Sequence, residues 1–223
     1  MQLFVCWSVK GGSGTSAVAA MLAVALAKSE KTLLIDADGD QSFIFGVPRP
    51  SEGFRQWLAA GDGVPADALL RLTTALTPNL DLVPAGDRTS IRAQRGKEMA
   101  FDVSMVVVDA GLARDAHDIA SSLVAQAETS LLVLRPCYLA ARRAAATHAR
   151  IDGLIVVEEA RRALSGADLA EVIGAPVVAT VPWDAAISRT IDAGRLGRRL
   201  PRAAKEIEQL ATSLIATEAP RGR

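Results

Sequence analysis

Short apolar runs alternate with helical segments along the whole chain. Seven runs rich in Val, Leu and Ile are apolar on both faces, which predicts strands inside a parallel sheet; they span residues 3–8, 32–35, 79–83, 103–108, 130–134, 154–157 and 177–181. The intervening segments are Ala-rich or have helical spacing, from the end of the first loop to about residue 27 and over residues 53–60, 66–72, 115–127, 140–149, 167–173, 185–193 and 203–215. Strands joined through helices pair in parallel by right-handed crossovers. The pattern therefore predicts one doubly wound α/β domain over residues 1–223, with a mainly parallel sheet of about seven strands and helices on both faces.

Composition restricts the compartment and the partners. The formal net charge is zero, so a contact with DNA or an anionic membrane needs a local patch of charge. The two cysteines are not in CxxC spacing, which argues against a disulfide framework or zinc site and predicts two small buried apolar side chains. The apolar stretch at residues 17–27 is about half of the roughly 20 residues that a membrane span needs. Without a basic segment typical of a signal peptide before the first strand, we expect a cytoplasmic protein.

A glycine-rich loop joins the first predicted strand to the first helix. It consists of Lys10, Gly11, Gly12, Ser13, Gly14, Thr15 and Ser16. Such a junction directs backbone N–H groups and a helix N-terminus at one point, which favours a phosphate site over an ordinary Gly-rich turn. Ser16 stands where a P-loop hydroxyl coordinates Mg²⁺.

This loop resembles K-G-G-x-G-K-[ST], the deviant Walker A sequence of the ParA/MinD family of P-loop ATPases. The resemblance implies ATP and Mg²⁺ as cofactors, a homodimer, and a catalytic Lys10 that reaches the nucleotide of the partner subunit. Thr15 replaces the family's second lysine, which reaches the β- and γ-phosphates. Losing that charge-assisted contact costs on the order of 1.5–3 kcal/mol, or roughly tenfold in affinity. We therefore expect weak ATP binding or slow hydrolysis.

Two acidic segments resemble further parts of that family. The first, L-L-I-D-A-D-G-D-Q at residues 33–41, is similar to the family's switch segment. By that resemblance Asp36 lies near Mg²⁺ and the catalytic Asp38 orients the attacking water; the alternative is a polar loop that caps the sheet. The second, V-V-V-D-A-G at residues 106–111, has the Walker B form, which implies that Asp109 holds Mg²⁺ through water. Strand ends of this kind lie at the ligand-binding edge of a parallel sheet.

Later segments indicate where a nucleobase would lie. Residues 79–86 are similar to the family's strand that ends in P-A-G, and residues 181–194 to its P-x-D…A-x-x-x-G segment. The resemblance implies that Pro182 and Trp183 lie near the base. Glu158 stands where relatives often carry an asparagine that reads adenine; its carboxylate cannot reproduce an amide's paired donor and acceptor. The version of these segments is closest to the pilus-positioning CpaE/TadZ-like branch and to actinobacterial septum-site MinD-like proteins, and the resemblance covers roughly residues 2–215.

The C-terminal region contains candidate partner surfaces. A basic cluster precedes the last helix: Arg195, Arg198, Arg199 and Arg202. It is either a patch for non-specific DNA or a solvated loop. The last helix has one apolar face, formed by Ile207, Leu210, Leu214 and Ile215. Glu206 and Glu208 interrupt its basic character, so we expect it to pack on the domain rather than contact a membrane.

Two functions fit these patterns. The first is a ParA/MinD-like dimerising ATP switch that positions a cargo (a septum, a pilus base or a chromosome locus) through an unidentified protein adaptor. The alternative is a scaffold without hydrolysis, which dimerises and recruits partners without a nucleotide cycle. Thr15 and Glu158 favour the scaffold, whereas the order of the loop, Asp36, Asp38 and Asp109 favours the switch.

Overall fold

The central feature of the fold is one eight-stranded sheet, seen in a computed structural model that describes residues 1–61, 64, 66–89, 101–114 and 118–218. The strands are β1 (Gln2–Ser8), β2 (Thr32–Asp36), β3 (Thr74–Thr77), β4 (Leu80–Val83), β5 (Met105–Leu112), β6 (Thr129–Leu134), β7 (Gly153–Glu158) and β8 (Val177–Pro182). Their order across the sheet is β3-β4-β2-β5-β1-β6-β7-β8. All neighbours pair in parallel except β3 and β4. The predicted fold class is confirmed, with one strand more than expected.

The additional strand, β3, lies at the edge of the sheet. Its four residues, Thr-Ala-Leu-Thr, are only partly buried or exposed. An edge strand needs no continuous apolar run, so the pattern that identifies central strands does not detect it.

Eight helices surround the sheet within the described residues. They are α1 (Thr15–Leu26), α2 (Gln41–Phe45), α3 (Phe54–Ala59), α4 (Ile119–Gln126), α5 (Tyr138–Ala145), α6 (Gly166–Ile173), α7 (Ala185–Asp192) and α8 (Lys205–Glu218). The predicted helix at 66–72 is a 3₁₀ helix, and the start of the one predicted at 115–127 lies outside the described residues. The short α2 was not predicted, because five residues carry too little periodicity.

Each face of the sheet has its own core. Side chains alternate along β1, so that Phe4 and Cys6 pack with α1, whereas Val5 and Trp7 pack with α3, α4 and α5. The indole N–H of Trp7 donates to the Ser130 hydroxyl at 2.9 Å. Because α1 is Ala-rich, it packs closely behind the central strands and is buried from Val18 to Leu26.

The cysteines and the last helix can also be compared with the sequence-based expectations. Both cysteines are free, but only Cys6 is buried; Cys137 is half-buried and its Sγ accepts a hydrogen bond from the Ala140 N–H at the start of α5. The apolar face of α8 packs on the core, as expected, with Ile207 fully enclosed. Within the described residues, no helix combines the length and apolar content that crossing a membrane requires.

The N-terminus of α3 is fixed by backbone contacts to the loop after β4. The N–H groups of Phe54 and Arg55 donate to the carbonyl oxygens of Pro84 and Ala85, at 2.8 and 3.0 Å. A Cβ added to Gly53 would lie 2.2 Å from the Pro84 oxygen, so only glycine allows this approach. The packing places Arg55 over the loop that follows β2.

We expect Gly53→Ala to destabilise the protein by about 2–4 kcal/mol, because the backbone would have to separate. Thermal or urea unfolding measures this loss. Gly166→Ala is the matched control, since its Cβ would make ordinary contacts of 3.7 Å, and should change stability by no more than about 0.5 kcal/mol. Equal stability of the two variants would contradict the proposed close approach.

Candidate functional site

The glycine-rich loop lies at the carboxyl end of the central strand β1. Gly12 and Gly14 have φ values of +75° and +87°, which favour glycine. The Ser13 hydroxyl donates to the Lys10 carbonyl at 2.6 Å and closes the loop. A Cβ added to Gly11 or Gly12 would meet no atom within 4 Å, so the outer side of the loop is open.

The start of α1 presents donors to this open space. Gly14 precedes the helix and provides no side-chain cap, and the first turn contains no acidic residue. The first N–H groups of a helix have no partner within it, and the helix dipole favours an anion there. The loop therefore fits the phosphates of a nucleotide.

The charges of the loop differ from those of an ordinary P-loop. Lys10 is half-buried, its ammonium lies 3.4 Å from the Gly11 carbonyl oxygen, and no ion pair joins it to a carboxylate of the described residues. Thr15 is 6% exposed and uncharged. Lys10 is thus the one positively charged residue of the seven-residue loop.

Two buried carboxylates lie beside the loop. Asp36 in β2 and Asp109 in β5 are register neighbours, with exposed fractions of 1% and 0%. Asp36 accepts from the N–H groups of Gly39 and Gln41, at 2.6 and 3.0 Å. Asp109 lies inside β5 rather than after it, because the strand continues to Leu112 past the predicted end.

Burial perturbs the pKa of both acids, and the charge of Asp36 adds to the effect at Asp109. Burial, followed by the charge of Asp36, raises the pKa of Asp109 to about 7, although hydrogen bonds from Gln41 and Ser16 oppose the shift. Burial also raises the pKa of Asp36 to about 6, against its backbone hydrogen bonds. A divalent cation would favour the ionised form of both. Two carboxylates and a hydroxyl are oxygen ligands of the kind that Mg²⁺ prefers, so Ser16, Asp36 and Asp109 fit this ion.

Asp38 lies at the surface next to the strand that carries Asp109. A Cβ added to Gly111 would lie 2.4 Å from the Asp38 Cγ. Desolvation and the charge of Asp40 raise the Asp38 pKa, while Arg55 lowers it. Arg55, which the sequence did not single out, donates to the carbonyl oxygens of Ala37 and Asp38 at 3.1 and 2.6 Å. It therefore fixes the backbone that carries Asp38.

The three residues predicted near a nucleobase lie together at the ends of β7 and β8. Glu158 and Pro182 are register neighbours, and the Trp183 N–H donates to the Glu158 carbonyl at 2.7 Å. The Trp183 ring is 57% exposed and the Arg135 guanidinium carbon lies 4.4 Å from its centroid. Glu159 pairs with Arg135 and Arg162, whose hydrogen bonds lower its pKa. Arg135 was missed because it follows an ordinary apolar strand.

The basic cluster lies away from the glycine-rich loop. Its four arginines are exposed, and buried Leu196 and Leu200 hold the segment against the core. Arg198, Arg199 and Arg202 line a groove of about 440 Å³ that also includes Ala27, at the end of α1 opposite the loop.

Comparison with known proteins identifies the family of the chain and agrees with its fold. The model of the CobQ/CobB/MinD/ParA nucleotide binding domain matches residues 4–196. No curated protein sequence matches the chain. The fold is similar to septum site-determining protein MinD with Mg-ADP from Pyrococcus horikoshii, at 17% identity and a TM-score of 0.76 over 100% of this chain and 99% of that one. It is also similar to MinD in the MinC:MinD complex of Aquifex aeolicus, at 22% identity and a TM-score of 0.74 over 100% of this chain and 99% of that one. A Cyanothece McdA–ATP complex is similar at 18% identity and a TM-score of 0.72, over 96% of each chain.

The buried acid pair predicts a pH-dependent stability. Asp36 and Asp109, with pKa values of about 6 and 7, stay protonated where the unfolded chain has ionised. The folded state thus binds more protons than the unfolded state between about pH 4 and 7, so stability should fall as the pH rises through this range. We expect Asp109→Asn to stabilise the protein without added metal by about 2 kcal/mol at pH 8 and much less at pH 4. Thermal unfolding from pH 4 to 8 in EDTA measures this difference. Asp184→Asn, at an exposed position, is the control. If the stability of Asp109→Asn and of the wild type changed with pH in the same way, the raised pKa of Asp109 would be contradicted.

Proposed function

Because the chain belongs to the CobQ/CobB/MinD/ParA nucleotide-binding domain family, we propose that it is a nucleotide-dependent dimerising switch that positions a cellular cargo. The observation that supports this most strongly is the placement of the acid pair, Asp36 and Asp109, beside Ser16 at the start of α1. Phosphate donors and metal ligands thereby meet at one point.

In this proposal the glycine-rich loop and the first turn of α1 bind the phosphates of ATP. Ser16, Asp36 and Asp109 hold Mg²⁺, which when bound neutralises phosphate charge. Asp38 orients water, and its backbone is fixed by Arg55. Trp183, with Glu158 and Pro182 beside it, lies against the base. Lys10, free of ion pairs to the described carboxylates, reaches the nucleotide of a second copy of the chain.

Thr15 limits the chemistry that we assign to this site. Phosphoryl transfer relies on positive charge around the transferred group, and a hydroxyl at this position supplies none. We therefore propose weak ATP binding and slow hydrolysis. The same observation favours a second candidate, a scaffold that dimerises and recruits partners without a nucleotide cycle.

The cargo would be recruited through a protein adaptor. A MinD relative has been solved in a complex with MinC, and this supports a protein partner for the present chain. We retain the pilus-positioning CpaE/TadZ-like and septum-site MinD-like branches as hypotheses for the cargo. If DNA is the matrix, the exposed arginines at 195, 198, 199 and 202 are the surface for its phosphates.

We expect Thr15→Lys to increase the affinity for Mg-ATP by roughly tenfold, because it restores a charge-assisted contact. Calorimetry measures binding, and a phosphate-release assay measures turnover. Thr212→Lys, at an exposed position of α8, is the control for added charge. Binding and turnover by the native chain would exclude the scaffold. Binding that appears only in Thr15→Lys would exclude the switch for the native chain.

We expect Lys10→Ala to abolish dimerisation that depends on ATP, because the lysine would otherwise pair with phosphates across the two-fold axis. Sedimentation velocity with and without Mg-ATP measures the dimer fraction. Lys28→Ala is the matched control, since Lys28 pairs with Glu208 at the opposite end of α1. If Lys10→Ala sediments like the wild type in both conditions, Lys10 has no role across the dimer.

A further inference from the structure

Gln41 is a fully buried polar residue between the switch segment and the core. It is the first residue of α2, and its exposed fraction is 0%. Its α2 neighbours Ile44 and Phe45 are ordinary core residues. A buried amide needs partners for both donors and its oxygen, so its contacts show why it lies there.

The amide nitrogen of Gln41 joins two parts of the site. Nε2 donates to Asp109 Oδ2 at 2.8 Å and to the Ser16 carbonyl oxygen at 2.9 Å. Both contacts are acceptors, so a reversed amide would place its oxygen against two oxygens; the donor orientation is the only one that satisfies them. The backbone N–H of the same residue donates to Asp36. Gln41 thus connects the loop after β2, strand β5 and the first turn of α1.

The oxygen of this amide differs from the nitrogen in its contacts. Gln41 Oε1 is buried and has no hydrogen-bond partner among the described residues. An unsatisfied buried acceptor destabilises the folded state, which indicates that a donor contacts this oxygen in the functional protein. Because Oε1 and Nε2 are bonded to the same carbon, the oxygen without a partner lies close to the acid pair. A water in the shell of a divalent cation is a donor of suitable chemistry, because Mg²⁺ usually keeps several waters.

We propose that Gln41 is the positioning residue of the cation site: its nitrogen aligns Asp109 with the first turn of α1, and its oxygen accepts from a water that the cation carries. This inference rests on the proposed function, since it assigns Gln41 to the same Mg-nucleotide site. It connects cation binding directly to the switch segment, because the residue that contacts Asp109 is also the start of α2. Movement of that segment would withdraw both contacts at once.

Gln41→Met tests this role, because methionine has a similar length but neither donates nor accepts strongly. Ser42→Ala is the matched control. Ser42 is the next residue of α2 and is 2% exposed. Within the part of the chain that the structure describes, its hydroxyl also lacks a partner and forms no hydrogen bond to Asp109 or Ser16. Gln41→Asn, whose amide is one methylene shorter, replaces Gln41→Met if the latter does not fold.

The first measurement is calorimetric ADP binding in Mg²⁺ and in EDTA. We expect Gln41→Met to weaken binding about tenfold in Mg²⁺, as for one lost hydrogen bond to a charged group, and by a clearly smaller factor in EDTA, where only the alignment of the first turn of α1 is lost. Ser42→Ala should match the wild type in both. An equal loss in both conditions, or none, would overturn the role in cation binding.

The second measurement, hydrogen exchange of the protein without nucleotide, does not depend on the proposed function. Gln41→Met should increase exchange at least fivefold in the first turn of α1 and in residues 39–41, and Ser42→Ala should not. Unchanged exchange at the start of α1 would overturn the positioning role. Wild-type protein that binds no ADP in either condition would overturn the proposed function and the cation role, while the exchange result still decides whether Gln41 aligns the loop.

Discussion

The burial of two carboxylates on neighbouring strands is the constraint on which this site depends. Parallel pairing of β2 with β5 makes Asp36 and Asp109 register neighbours, and both are almost fully enclosed. Burying unpaired like charges is costly, so the surrounding structure is arranged to offset it. Backbone N–H groups of the loop after β2, the Gln41 amide and the Ser16 hydroxyl all donate to this pair. The geometry of the glycine-rich loop is thus linked to the acids through Ser16 and Gln41.

The strands and the acid pair were predictable because they follow from local sequence. Continuous apolar runs identified seven strands, and an acid near the carboxyl end of such a run must lie at the ligand-binding edge of a parallel sheet. The edge strand β3 and the five-residue α2 were missed since neither leaves a periodic signal. Asp109 lies inside β5 because that strand continues alongside β1 with a shift in register after Cys6. Local sequence does not specify how far a strand is paired.

The contacts that complete the site could not be predicted in the same way. Gln41, Arg55 and Arg135 are separated in sequence from the groups they contact, by as much as 68 residues between Gln41 and Asp109. Nothing in their immediate surroundings distinguishes them from surface polar residues. Burial decides their role, and burial depends on tertiary packing. The family resemblance, by contrast, predicted residues of a nucleotide site but not the contacts that hold them in place.

The docking of α3 has a consequence for how this sequence can change over generations. The first turn of α3 is bound by the carbonyl oxygens of Pro84 and Ala85, not by their side chains. The hydrogen bonds that place Arg55 therefore do not require particular side chains at these two positions, but both residues are buried, so only replacements of similar size preserve the docking. The residue type is restricted most strongly at Gly53 and Gly86, because a Cβ at either position would collide with neighbouring atoms. Descendants of this protein should therefore retain these two glycines, whereas positions 84 and 85 should accept other small buried residues.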